Sequence, residues 1–164
     1  MKIKIGVLSD THMPEKAKEL PAKLCAQLKS CDMVIHAGDM VTMEVASALA
    51  KLCPNFKAVC GNMDPGQVRN KFPEKEIIEV GKFRLGVKHG FGPPDKLKAV
   101  LKEAFKADKV DVIIFGHSHS PVCETEGGIM FFNPGSPTDE IFAPYKSFGI
   151  IEINDKIQAR IVKL

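Results

Sequence analysis

The sequence predicts an α/β domain built from two packed, mixed β-sheets flanked by helices, and three observations carry that prediction. Through residue 59, apolar runs of strand length alternate with stretches of helical period. From residue 76 onward, three pairs of strand-like segments meet across short turns rich in Gly, Asn or Asp, the mark of antiparallel hairpins. Only one further long helix interrupts that second half. A purely parallel, doubly wound sheet would not contain so many hairpins, so a two-sheet arrangement is expected. At 164 residues the chain has ordinary single-domain length, and no linker or shift in composition divides it, so residues 1–164 are expected to form one domain.

Taken in order, Lys2–Leu8 (KIKIGVL) alternates as a first strand, and Leu20–Leu28 has helical spacing with Pro21 tolerated in the first turn. Met33–His36 is a short buried strand. Met43–Leu52 is a helix with Thr42 as its N-cap and Glu44 in its first turn, where a negative charge meets the helix dipole. Phe56–Val59 is a third strand. Glu76–Val80 and Phe83–Lys88 form a hairpin around Gly81-Lys82. A helix from about Asp95 to Ala107 repeats Leu97, Val100, Leu101 and Ala104 at helical spacing. Val110–Phe115 is another buried strand. Val122–Thr125 and Ile129–Asn133 flank Glu126-Gly127-Gly128, and Ser147–Ile153 and Ile157–Val162 flank Asn154-Asp155, giving two more hairpins.

Composition narrows the function classes. The net charge of +3 is mild and the lysines are dispersed, with no basic stripe interleaved with aromatics, so nucleic acid is not an expected partner. No apolar run approaches the roughly 18 residues that cross a bilayer, and the N-terminus lacks a signal-peptide core, so no membrane association and a cytoplasmic location are expected. Five cysteines, odd in number and without a C-x-x-C pair, argue against a disulfide framework or a structural zinc site, and most are expected to be buried as small hydrophobes. Apolar residues at Phe131, Phe132, Ile141, Phe142 and Tyr145 are open to two readings, core or subunit interface. A homo-oligomer is weakly favoured.

The polar residues that suggest chemistry fall just past strand ends. These are Ser9-Asp10-Thr11-His12, Gly38-Asp39, Gly61-Asn62-Met63-Asp64, His89-Gly90 and Gly116-His117-Ser118-His119. In α/β sheets, ligands bind outside the carboxyl ends of strands, so five such loops are expected to converge. A D-x-H or a G-D dipeptide means little alone, and His89 by itself would read as a satisfied buried histidine. Five clusters at successive strand ends are a different matter. Asp, Asn and His donate hard or borderline oxygen and nitrogen, which suits Mn, Fe, Ni, Co or Zn, with manganese expected first. Seven candidate ligands (Asp10, His12, Asp39, Asn62, His89, His117 and His119) exceed the needs of one tetrahedral ion. They suit two ions about 3.5–4 Å apart that share a carboxylate.

The ordered series Asp10-x-His12, Gly38-Asp39, Gly61-Asn62, His89 and Gly116-His-Ser-His119 resembles the calcineurin-like metallophosphoesterase superfamily. Asn62-Met63-Asp64, Asn133-Pro-Gly-Ser136 and the short length make the chain similar to the small YfcE-type phosphodiesterases. The resemblance implies that Asp10, His12 and His119 hold one metal, that Asn62, His89 and His117 hold the other, and that Asp39 bridges them. It also implies the metallophosphoesterase fold, a β-sandwich flanked by helices. The implied reaction is phosphodiester hydrolysis, with a bridging water made acidic enough to attack phosphorus in line and with Asp39, Asn62 and His89 as catalytic residues. Alternatives within the fold are a phosphomonoesterase or a nuclease, the latter lacking an insertion to grip a polymer. A non-enzymatic scaffold like the eukaryotic retromer subunit is the alternative of another class.

One departure stands out. Many superfamily members place histidine directly after the G-N asparagine to protonate the leaving alcohol, and this chain has Met63 there. With four of five histidines assigned to metal, His36 remains, expected as a buried structural partner more than as a proton donor. Asp64 is expected to brace its loop, and Cys60 to pack beneath the site.

Overall fold

The computed structural model describes residues 1–164 and places ten strands and four α-helices in four layers. One sheet holds β1 (Ile3–Leu8), β2 (Met33–His36), β3 (Phe56–Ala58), β9 (Ser147–Ile153) and β10 (Ile157–Lys163) in the order β10-β9-β1-β2-β3. The other holds β4 (Lys75–Val80), β5 (Phe83–Lys88), β6 (Val112–Ile114), β7 (Val122–Glu126) and β8 (Ile129–Asn133) in the order β4-β5-β6-β8-β7. Each sheet is mixed. β1, β2 and β3 run parallel, as do β5, β6 and β8, whereas β9, β10, β4 and β7 pair antiparallel at the flanks. The expected two-sheet architecture is therefore present.

Period-two alternation sorts the side chains between layers. In β1, Ile5 and Val7 enter the core between the sheets, where they meet Ile35, Leu85, Val112, Ile114 and Ile151. Leu8, on the opposite face, packs under the helices α1 (Ala22–Leu28) and α2 (Met43–Leu52), with Leu24, Leu28, Val45 and Leu49. On the far side of the second sheet, α4 (Leu97–Phe105) buries Leu97, Leu101 and Phe105 against Ile113 and Phe131. The spacing of these three helix residues puts them on one stripe.

Several expectations shift. The helix α3 (Gly66–Lys71) was not anticipated; its six residues bury only Val68, too little to display a period. The helix expected over residues 95–107 begins as a single 3-10 turn, Pro94–Lys96, and is α-helical only over Leu97–Phe105. Pro21 lies just before α1 and not within it, and Thr42 occupies the N-cap of α2 without a side-chain bond to the helix. Cys53 and Cys60 are buried and Cys25 and Cys31 half-buried, but Cys123 is exposed because it lies on β7, an edge strand with an outward face. Phe131 and Phe132 are core residues; Ile141, Phe142 and Tyr145 are exposed. No helix is long and apolar enough to cross a membrane.

Candidate metal centre

The loops after β1, β2, β3, β5, β6 and β8, the six parallel strands, meet at one end of the sandwich. Backbone bonds knit them together: Asp10 N–H donates to Gly38 O (3.0 Å), His12 N–H to Asp39 O (3.1 Å) and Gly116 N–H to His89 O (3.1 Å). Seven non-glycine residues have positive φ, and five of them are Asp10, His12, Asp39, His117 and His119. Such conformations cost of order 1–3 kcal/mol each and persist where surrounding contacts over-determine them. Close packing reinforces the point. A Cβ on Gly61 would lie 2.1 Å from Asp39 Oδ1, and one on Gly116 would lie 1.9 Å from Ser9 Oγ.

Within this cluster, each carboxylate has one oxygen tied back and one aimed inward. Asp10 Oδ2 accepts from the His117 N–H (3.0 Å) and from Ser9 Oγ (2.8 Å), while Oδ1 is buried and unpaired. Around Asp10 Oδ1 stand His119 Nε2 at 3.4 Å and the Nε2 atoms of His12 and His89, both at 3.7 Å. Asp39 Oδ1 accepts from the Met63 N–H (2.8 Å), and its Oδ2 lies 3.1 Å from His89 Nε2 and 3.5 Å from His12 Nε2. Two close groups result, Asp10 with His12 and His119, and Asp10 with Asp39 and His89. Asn62 and His117 sit at the outer edge. The His117 Nε2–H donates to Gly92 O (3.1 Å), which in the neutral ring leaves Nδ1 bare, 3.2 Å from Asn62 Oδ1.

A second ring of residues orients the first. His89 Nδ1 donates to Ala37 O (2.8 Å), which directs its Nε2 into the site. His119 Nδ1 donates to Asp139 Oδ2 at 2.5 Å, with the same result for its Nε2. This carboxylate–histidine arrangement is the usual support of a metal-ligating imidazole. Asp139 is itself held by the N–H groups of Ile141 and Phe142. Asp64 braces its loop as expected. Its Oδ2 accepts from the N–H groups of Asp39 (2.9 Å) and Gly61 (2.7 Å), and its Oδ1 from Val41 N–H (2.8 Å). Arg69 caps the same loop, donating to the carbonyls of Gly61, Asn62 and Asp64. Asp139 and Arg69 lay outside the sequence reading. Asp139 follows Asn133-Pro-Gly-Ser136 at the end of β8, so the strand-end rule that located the other loops would have found it.

Charge follows geometry. Burial works against the Asp10 carboxylate, but the imidazoles of His119, His12 and His89 close around it outweigh that and hold its pKa far below the usual carboxylate range. Burial likewise opposes the charged form of His89, yet the Asp39 carboxylate 3.1 Å away and the charge of Asp10 raise its pKa to about 9. His119 rises to about 9, against burial, through Asp10 and Asp139. Without a metal, these carboxylates call for protons on His89 and His119. His36 is the opposite case. Fully buried, its Nδ1 accepts from Gly38 N–H and its Nε2–H faces Thr11 Oγ1, both at 3.1 Å. Burial pushes its pKa down to about 4 despite Asp64 and Asp10, so it is a neutral structural residue under the Gly38-Asp39 turn.

The donor set fits divalent ions. Asp10 Oδ1, His12 Nε2 and His89 Nε2 are buried, face one another and have no hydrogen-bond partner. Unpaired buried polar atoms are costly, and a cation among them would satisfy all three at once. The fold and this cluster define a metallophosphoesterase, a class whose phosphoester chemistry depends on divalent metal ions.

A family model of the calcineurin-like phosphoesterase superfamily domain matches residues 3–156, and the chain belongs to that superfamily. It is 37% identical over 163 residues to a probable metallophosphoesterase of Methanocaldococcus jannaschii, covering 98% of this chain and 81% of that one. A phosphodiesterase of the same organism is 30% identical over 146 residues, covering 81% of this chain and 83% of its own. Among solved structures, a zinc-complexed Vps29 from Entamoeba histolytica is similar, with a TM-score of 0.76, 25% identity and coverage of 98% of this chain and 99% of that one.

Proposed function

We propose that this chain is a phosphodiesterase with a dinuclear centre, in which Asp10, His12 and His119 hold one ion, Asn62, His89 and His117 hold the other, and Asp39 bridges the pair. The observation that carries this reading is the convergence of three unpaired buried ligand atoms, Asp10 Oδ1, His12 Nε2 and His89 Nε2, around the Asp39 carboxylate. Asp39 Oδ2 lies near both His12 and His89, as a bridging ligand must. Manganese is the metal we favour on the oxygen and nitrogen donor set, ahead of nickel, iron, cobalt or zinc. Two bound divalent ions supply an activated water at neutral pH and offset charge on the phosphoryl oxygens.

The protein's own groups do the rest. Asp39 and His89, fixed by Met63 N–H and Ala37 O, keep the reacting phosphate in register. The side-chain amide of Asn62 donates to a phosphoryl oxygen. The likeness to a phosphodiesterase of Methanocaldococcus jannaschii and Met63 at the position of the leaving-group acid support a diester over a monoester. Met63 carries no proton and His36 is neutral and fully occupied, so the alcohol departs without an acid at that position. Five free cysteines suit a reducing compartment, which supports the cytoplasm.

The test is demetallated protein reloaded with each metal and assayed on bis(p-nitrophenyl) phosphate, p-nitrophenyl phosphate and cyclic nucleotides. Diester turnover that requires metal and disappears in Asp39→Ala supports the proposal. Absence of turnover with every metal would instead favour the scaffold reading, which the Vps29 likeness keeps in view.

A further inference from the structure

Beside the centre lies a cavity of about 190 Å³ lined by Cys60, Gly61, Asn62, Arg69, Glu74, Lys88, His89, Gly90 and Phe91. It opens directly from two of the proposed ligand residues, Asn62 and His89. The Phe91 ring, on the loop after β5, is 58% exposed although it stands next to a buried polar centre. Leaving much of a phenyl group in water forgoes favourable burial, and nothing in the fold covers it. The loop that carries it is anchored from the site itself, since Gly92 O accepts from His117 Nε2–H at 3.1 Å. Lys88 adds a positive charge to the same wall, which suits an anionic ester. The volume is below the roughly 300 Å³ at which pockets begin to enclose a drug-sized ligand, so the cavity admits one group of an ester and not a whole diester.

Resting on the phosphodiesterase reading, we propose that this cavity is the subsite for one ester group of the substrate, that the group is a single aromatic ring, and that Phe91 selects it by stacking. The phosphate lies at Asp39 and Asn62 and the ring lies against Phe91. A small alkyl group would leave both the cavity and the phenyl face wet. An aromatic pair in offset or edge-to-face contact adds to the area it buries. Phe91 is therefore a specificity residue that touches the substrate without touching the reacting atoms.

Calorimetric titration of metal-loaded protein with phenylphosphonate and with methylphosphonate, whose P–C bonds a phosphoesterase cannot hydrolyse, tests the idea without turnover. The wild type is expected to prefer phenylphosphonate by about tenfold, on the scale of one ring–aromatic stack. Phe91→Ala should erase that preference, and Phe91→Tyr, which keeps the ring, should retain it. Phe91 is exposed, so neither change threatens folding. In kinetics, Phe91→Ala should raise KM for bis(p-nitrophenyl) phosphate and leave kcat within about twofold, as loss of uniform binding does. Equal affinity of the wild type for the two phosphonates, or a preference untouched in Phe91→Ala, overturns the subsite. A phenyl preference that depends on Phe91 in a protein that hydrolyses no diester would keep the subsite and sink the phosphodiesterase reading.

Discussion

Asp64 offers the sharpest test of how the centre is built. Its carboxylate is 4% exposed and accepts three backbone N–H bonds, from Asp39, Gly61 and Val41, at 2.7–2.9 Å. In Asp64→Ala those donors lose their acceptor. Hydrogen bonds to a charged group are worth about 1.5–3 kcal/mol each, so three give a gross loss of roughly 4.5–9 kcal/mol. Neighbouring bonds are not additive, and water entering the vacated space recovers part of the loss, which leaves about 3–5 kcal/mol. That is a large share of a typical domain's 5–15 kcal/mol. The assay is urea unfolding of wild type, Asp64→Ala and Asp64→Asn in EDTA, so that metal linkage does not contribute. Asp64→Asn keeps one acceptor and turns an NH2 toward N–H donors, so it should fall between the other two. The second readout is metal affinity. Asp39 and Gly61 are positioned through Asp64, and loss of such supporting contacts typically weakens metal binding 10–100-fold. A destabilisation below about 1 kcal/mol for Asp64→Ala would refute the reasoning.

Three further outcomes are expected. Asp139→Ala removes the acceptor that orients His119, and it should weaken manganese binding about 10–100-fold in calorimetry while barely altering the circular dichroism spectrum. In metal-free protein, His89 and His119 have pKa values of about 9, above the ordinary 6.5, so the stability they contribute is complete below about pH 6.5 and lost as pH rises through 9. Asp139, lowered to about 2, contributes stability present above its ordinary 3.8 and lost as pH falls through 2. Melting temperatures in EDTA should therefore decline from pH 6.5 to 9, while the rise on adding manganese grows over the same window because protons stop competing; two flat profiles would contradict this. Finally, a series of aryl diesters of graded leaving-group pKa should show kcat/KM falling steeply as the alcohol becomes more basic, since Met63 cannot donate a proton. A flat dependence with chemistry rate-limiting would point to an acid supplied elsewhere.

Much of the fold was legible because its signals are local. Ile3–Leu8, Met33–His36 and Met43–Leu52 show their period in a few residues, and Gly81-Lys82 and Glu126-Gly127-Gly128 announce hairpins by turn chemistry. What escaped was short or marginal. The six residues of α3 have one buried side chain, and Asp95 and Lys96 belong to a 3-10 turn because Pro93 and Pro94 precede them. Phe131 and Phe142 could not be told apart by type. The first lies under α4, and the second faces solvent beside His119 at 6.4 Å between ring centroids.

For the site, sequence alone singled out the candidate residues, since Asp, His and Asn at successive strand ends form a pattern whose meaning depends on residue type and spacing. Only the tertiary structure decided how they work together. That Asp10 turns Oδ1 inward and Oδ2 to His117 N–H, that Asp139 reaches His119 across twenty residues, and that His36 is sealed beneath Gly38 are consequences of six loops meeting. Contacts between residues distant in the chain depend on how two twisted sheets pack. No local propensity encodes that packing.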